Sequence, residues 1–294
     1  MSITASDVAK LREQTGAGMM DCKKAMEEAG GDMEAAAEIL RKKGVIKAAK
    51  RGDKIAAEGL VQVKTRGNIG VVLEVNSETD FVAKNEEFKK MVDEIAEFLL
   101  DKKPASLENA LAEKIGDTTL TDYINNAIAK IGEKITLRRF SILEKGDNGV
   151  FGPYLHMGGK IAILSILNNT TDENLARDIS MQVAAAFPKF LNREMVDTET
   201  LNKEKEIYAE QLRAQGKPEN IIENILKGKM DKFYSEVCLL EQPFIKDEEK
   251  NITAYLAEKG ADIKVEKFVR FELGEGLAKK TNDFASEVAQ QMGQ

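Results

Sequence analysis

The sequence predicts an α+β protein, and three observations carry that prediction. The hydrophobic period is helical over residues 2 to 44, becomes extended at residue 58, and then alternates between glycine-bounded extended runs and amphipathic helical stretches. At 294 residues the chain is long enough for about two domains, each with its own core. Charged residues make up 32% and apolar residues 43%, which fits globular domains with a strongly solvated surface.

Residues 2 to 44 read as three short helices. Thr4 is the expected cap of the first, which places Val8 and Leu11 on one face and stops at Gly16. Asp21 is the expected cap of the second, ending at Gly30 and Gly31. Asp32 caps the third, whose Met33, Ala36, Ala37 and Leu40 keep helical spacing up to Gly44. With the basic linker RKKGVIKAAKRGDK, residues 41 to 54, they make an N-terminal domain over 1–54.

GLVQVKT and NIGVVLEVN, separated by Arg66 and Gly67, read as a β-hairpin. Residues 85 to 100 then place Phe88, Met91, Val92, Ile95 and Leu99 on one helical face. A helix near 121–131 and a strand at 137–144 complete a core subdomain over 55–148. The plan repeats in GVFGPYLHMGGKIAILSILNN and NLARDISMQVAAAF: VVL (71–73) matches ILS (163–165), and Phe88 and Val92 match Leu175 and Ile179. This suggests two related subdomains facing each other, the second over 149–190 and 238–274.

Between its two parts lies an antiparallel helical hairpin, 191–237. Its first arm, TETLNKEKEIYAEQLRAQ, stops at Gly216, and Pro218 suits the first turn of the second. Ile221, Ile222, Ile225, Leu226, Met230 and Phe233 form an apolar stripe there, while the first arm offers only Leu201, Ile207, Tyr208 and Leu212, too few for sustained heptads. EVCLLEQPF and KVEKFVRFELG read as extended. A short helix from about residue 281 closes a C-terminal module over 275–294.

Several function classes find no support. Cys22 and Cys238 are the only cysteines, so no disulfide framework or paired-thiolate metal site is expected, and a reducing cytoplasmic setting fits best. No signal peptide or membrane-spanning run is expected. His156 is the single histidine, without a nucleophile elbow or HExxH around it, so no catalytic residue is assigned. GEGLAKKT (274–281) carries Lys279 where a phosphate-binding loop needs glycine, and GAGMMD (16–21) carries Asp21 at the third glycine of GxGxxG; no cofactor is expected. The basic run lacks base-stacking aromatics, so nucleic-acid binding is disfavoured against a solvated helix end.

EVNSETDFVAKN, residues 74 to 85, is less ordinary. Glu74, Glu78 and Asp80 could contact a metal ion, but their spacing matches no calcium loop. Spacing alone favours another reading: Asp80 bonds its own turn and Phe81 points inward to cover the following helix. Met19 and Met20, consecutive at a helix start, cannot both face inward, so at least one is expected on the surface.

LREQTGAGMMDCKKAM (11–26) and EVNSETDFVAK (74–84) resemble the two signatures of the translation elongation factor Ts family, with Met26 where Leu is usual. YLHMGG (154–159) and QPF (242–244) follow in the family's order. The resemblance covers essentially the whole chain. It implies a ubiquitin-associated-like helical domain, two related core subdomains, an inserted hairpin used for dimerisation and a C-terminal helix. It also implies guanine-nucleotide exchange on elongation factor Tu, with no catalytic residue, cofactor or metal of the chain's own. Carried over by motif, Asp80 and Phe81, flanked by Thr79 and Val82, would press near the partner's Mg²⁺ and phosphate site, supported by Ile131 and His156. Arg12, Met19, Met20 and Lys23 would meet the partner's G domain, and Ile245 and Lys246 would meet it farther from the nucleotide. Two rivals remain open: an adaptor using the N-terminal helices, and an RNA-associated protein using residues 41 to 54.

Overall fold

The computed structural model describes residues 3–15 and 17–278, and the chain is α+β, with eleven α-helices and ten strands among the described residues. Gly16 and the expected helix from about residue 281 lie outside them. Two compact units form: the first takes the described parts of Met1–Gln62, Leu73–Phe140 and Glu272–Gln294, the second Val63–Val72 and Ser141–Phe271.

The first unit opens with α1 (Ala5–Thr15), α2 (Met19–Glu28) and α3 (Met33–Lys50). Val8, Leu11, Cys22, Ala25, Met26, Ala36 and Leu40 form their shared core. Thr4 Oγ1 accepts the Asp7 N–H at 3.2 Å while Asp7 Oδ2 accepts the Thr4 N–H at 3.1 Å, a reciprocal cap. The cap of α2 is Gly18 rather than Asp21, which sits in the first turn and pairs with Lys47 at 3.0 Å. Asp32 caps α3 through the Ala35 N–H.

Two antiparallel strands follow, β1 (Glu58–Arg66) and β2 (Ile69–Ser77), joined by Gly67 and Asn68. Then come α4 (Asp80–Lys84), α5 (Glu86–Lys102), α6 (Leu107–Ala112), the short β3 (Lys114–Ile115) and β4 (Thr118–Thr119), α7 (Leu120–Ile131) and β5 (Thr136–Glu144), with sheet order β1-β2-β5. Every residue of β2 is buried, the pattern of a central strand covered on both faces. Gly59 has φ +128°, and a Cβ there would lie 2.1 Å from the Val75 carbonyl oxygen, so only glycine fits. The five apolar positions predicted on one face of α5 are all buried. Tyr123 donates to Glu94, and Lys130 pairs with Glu87 at 2.8 Å, holding α7 beside α5.

The third helix does not stop at Gly44; it continues through most of the expected linker to Lys50. The physical reason is packing. α3 lies along α7, where a Gly44 Cβ would meet Ala129 Cβ and the Asn125 carbonyl oxygen at 3.6 Å, and Arg41 reaches Asp122 at 3.7 Å. That contact offsets the roughly 1 kcal/mol a mid-helix glycine costs.

In the second unit, β6 (Gly149–His156) pairs antiparallel with β7 (Ile161–Asn168), from Gly149↔Asn168 to His156↔Ile161. Next come α8 (Glu173–Ala186), the helical pair α9 (Thr198–Ala214) and α10 (Glu219–Val237), β8 (Pro243–Phe244), β9 (Asp247–Asn251), α11 (Ile252–Lys259) and β10 (Lys264–Glu272). The second three-stranded sheet has order β10-β7-β6. Leu175, Ile179 and Val183 of α8 share a core with Val150, Ile163 and Leu167 of the hairpin. EVCLLEQPF is not one extended run: its first residues end α10, Leu239–Glu241 form a 3-10 turn, and only Pro243–Phe244 is strand. Pro218 caps α10 instead of entering its first turn, and α9 and α10 close over Ala209, Leu212 and Ile222. Among the described residues, no helix is long and apolar enough to cross a membrane.

Candidate functional site

The strand-to-helix junction after β2 presents the most exposed large apolar side chain among the described residues. Phe81 is 79% exposed, which corrects the inward orientation that spacing alone favoured. It sits on α4, a five-residue helix whose Ala83 is the residue turned into the protein. Val82 is half-buried. Asp80 pairs with Lys84 one turn later at 2.6 Å, and the Lys84 ammonium lies 5.8 Å from the Phe81 ring centroid. The ring therefore carries an acid and a base at its foot.

The approach to this helix is held from outside it. Thr79 donates its N–H to Glu133 Oε2 at 3.0 Å and its hydroxyl to Glu133 Oε1 at 2.6 Å. Glu78 Oε1 accepts the Lys134 N–H at 2.6 Å and an Arg51 N–H at 2.7 Å. Burial would raise the Glu78 pKa, but the hydrogen bonds from Lys134 and Arg51 outweigh it and hold the carboxyl below its ordinary range. Lys134 Nζ donates to the Gly52 and Lys54 carbonyls at 2.6 and 3.0 Å. Glu133 and Lys134 follow Gly132, the left-handed cap that ends α7 just after Ile131, itself half-buried.

The three carboxylates weighed as metal ligands do not converge. Glu74 is fully buried and faces Arg138 and Arg139; Glu78 is taken by Arg51 and Lys134; Asp80 pairs with Lys84. The basic run is similarly occupied. Arg41 pairs with Asp122, Lys42 with Glu38, Lys43 with Glu28, Lys47 with Asp21 and Arg51 with Glu78, leaving little of a free cationic stripe for phosphates.

At the N-terminus Met19 is 44% and Met20 62% exposed, so both methionines face solvent, and Arg12 and Lys23 are exposed as well. In the second unit His156 ends β6 on the surface, its Nδ1 3.0 Å from Tyr154 Oη and its ring stacked on the tyrosine. Met157 beside it is 70% exposed with φ +51°. Ile245 is 39% exposed; its N–H donates to the buried Gln182 at 2.9 Å, and Lys246 is tied to Asp178 at 2.6 Å. Arg12, Met19, Met20, Lys23, Thr79, Asp80, Phe81, Val82 and Ile131 all belong to the first unit, and His156, Ile245 and Lys246 to the second.

The family model for elongation factor TS matches residues 78–275, about two-thirds of the chain. The chain belongs to the elongation factor Ts family. Members of the elongation factor Ts family work in translation elongation as nucleotide exchange factors, with elongation factor Tu as partner. The match begins at Glu78, so the residues holding α4, Glu78 through Glu133 and Lys134, fall inside it. Pattern reading missed Glu133 and Lys134, because a clasp between positions more than fifty residues apart has no local period. The one available signal is the helix stop at Gly132, which places a carboxylate on the half-buried turn just after α7.

Proposed function

We propose that this chain binds elongation factor Tu carrying GDP and promotes GDP release by pressing Phe81 beside the partner's Mg²⁺ and phosphate site, so that GTP can rebind. The supporting observation is the exposure of Phe81 on a braced helix: a 79% exposed phenyl ring gains little burial in the free protein and fits an insertion site on a partner. Bound GDP is held partly through Mg²⁺, which neutralises its phosphates; moving the metal's ligands removes that compensation. Asp80 adds a carboxylate beside the ring, with Thr79 and Val82 flanking.

The remaining contacts supply differential binding, not chemistry. Ile131 and His156 support the core contact, Arg12, Met19, Met20 and Lys23 meet the G domain, and Ile245 and Lys246 engage a distal surface. Lowering nucleotide affinity a thousandfold takes about 4 kcal/mol of coupling, within reach of one buried aromatic plus a two-part interface. Coupling is reciprocal, so GDP also weakens this chain's hold on its partner.

The domain segmentation, a cytoplasmic setting and a homodimer through the α9–α10 hairpin belong to the same proposal; Ile207 and Ile221, exposed on that hairpin, support the dimer, and sedimentation of the isolated chain tests it. Exchange itself is tested by loading elongation factor Tu with a fluorescent GDP analogue and adding the full-length chain. Release accelerated well beyond the spontaneous rate supports the reading; unchanged release contradicts it.

A further inference from the structure

We infer that Glu133 is a positioning residue for the Phe81 contact, setting the direction of α4 through the base of that helix without touching the ring. The inference rests on the proposed role of Phe81. A five-residue helix is too short to hold its own axis, since nucleation fixes several dihedrals for one hydrogen bond. Its N-cap residue Thr79 makes no side-chain cap bond, and its hydroxyl is oriented to Glu133, to which it donates. Glu133 therefore constrains the base of α4, alongside Ser77, whose hydroxyl donates to the Thr79 carbonyl at 3.0 Å, and the burial of Ala83.

The geometry is a reciprocal clasp between two dipeptides. Glu133 accepts both donors of Thr79, at 3.0 and 2.6 Å, while Glu78 accepts the N–H of Lys134 at 2.6 Å. Each bond involves a carboxylate, and such charge-assisted bonds are roughly twice as strong as neutral ones. The clasp is anchored in turn to the end of α3, through Arg51 on Glu78 and Lys134 Nζ on the Gly52 and Lys54 carbonyls. Two residues before the ring, the backbone is thus fixed in position and direction. A wedge that must meet a metal site has little tolerance for error, because displacement by about 1 Å can cost a hundredfold in rate.

The test is a double-mutant cycle on the full-length chain, combining Glu133→Gln with Phe81→Ala, with release of a fluorescent GDP analogue from elongation factor Tu followed at varied chain concentration. Gln keeps the shape but presents an N–H₂ to one of the two Thr79 donors. In the parent chain Glu133→Gln is expected to lower the maximal release rate about tenfold, with the half-saturating concentration within about twofold. In the Phe81→Ala background the same change should cost less than about twofold, because a misdirected methyl loses nothing further. Equal slowing in both backgrounds marks general structural damage and overturns the inference, as does unchanged release by Glu133→Gln alone. If Phe81→Ala itself leaves release unchanged, the proposed role of the ring fails and the positioning role with it; slowing by Phe81→Ala with a neutral Glu133→Gln removes only the latter. Thr79→Val and Thr79→Ser provide a milder pair: Val, lacking the hydroxyl, should slow release and Ser should restore it. A Ser variant as slow as Val contradicts the clasp.

Discussion

The carboxylate of Glu74, with no solvent exposure, lies 2.9 Å from the Arg138 guanidinium and 2.6 Å from that of Arg139. It also accepts the N–H of Gly274 at 2.8 Å and an Asn76 amide N–H at 3.1 Å, while Arg139 donates onward to the Glu272 carbonyl at 3.0 Å. One buried acid therefore pins residues 272–274 to β2 and β5. Replacing it by Gln leaves two arginines facing a neutral amide; because both keep about a quarter of their surface, the cost is expected at about 3 kcal/mol, the low end for breaking a buried pair. Urea unfolding of Glu74→Gln against the parent measures it.

The pH dependence follows from the same carboxylates. Burial would raise the Glu74 pKa, but the bonds from Gly274, Arg138, Asn76 and Arg139 more than offset it, and the folded value lies below the ordinary 4.5. Glu78 is depressed likewise. The unfolded chain then takes up protons first on acidification, so stability is fully present above the ordinary carboxylate range and is lost as pH falls through the folded values. Thermal unfolding should hold its midpoint from about pH 7 to about pH 5 and decline below, less steeply in Glu74→Gln. Identical slopes for the two proteins would contradict this assignment.

Gly152 is where α8 rests on β6. A Cβ there would lie 2.2 Å from the Ala176 carbonyl oxygen and 2.5 Å from Ser165 Oγ, inside a buried set in which Ser165 and Ser180 share a 2.8 Å hydrogen bond. Gly152→Ala must push the helix off the strand, with an expected loss of about 3 kcal/mol. Chemical denaturation of the variant reads this directly.

Met157 has the opposite sign. At φ +51° and 70% exposure it is strained and gains no burial, so Met157→Gly should stabilise the free chain by about 0.5–1 kcal/mol. A raised unfolding midpoint is the expected result.

Much of the fold was legible because local period and core coincide. Phe88, Met91, Val92, Ile95 and Leu99 announce α5 and are buried, and Gly67 marks the turn between β1 and β2. α11 escaped notice because its eight residues bury only Ile252 and Leu256, too few to set a period. Gly44 misled because a glycine stop and a glycine in a helix–helix contact look alike until α7 is in place. The site was legible only through its motif. Spacing placed Phe81 inward, whereas α4 buries Ala83 and leaves Phe81 exposed, with its base bonded to Glu133 just beyond the end of α7. Side-chain direction at a junction depends on such distant partners, which no window of sequence contains.

The central claim is that Phe81 drives nucleotide release. Stopped-flow release of a fluorescent GDP analogue from elongation factor Tu, at saturating full-length chain, compares the parent with Phe81→Ala. Because the ring is 79% exposed, the variant should unfold at the parent's midpoint, while its maximal release rate falls about tenfold or more. A Phe81→Ala chain that releases GDP at the parent's rate would contradict the account.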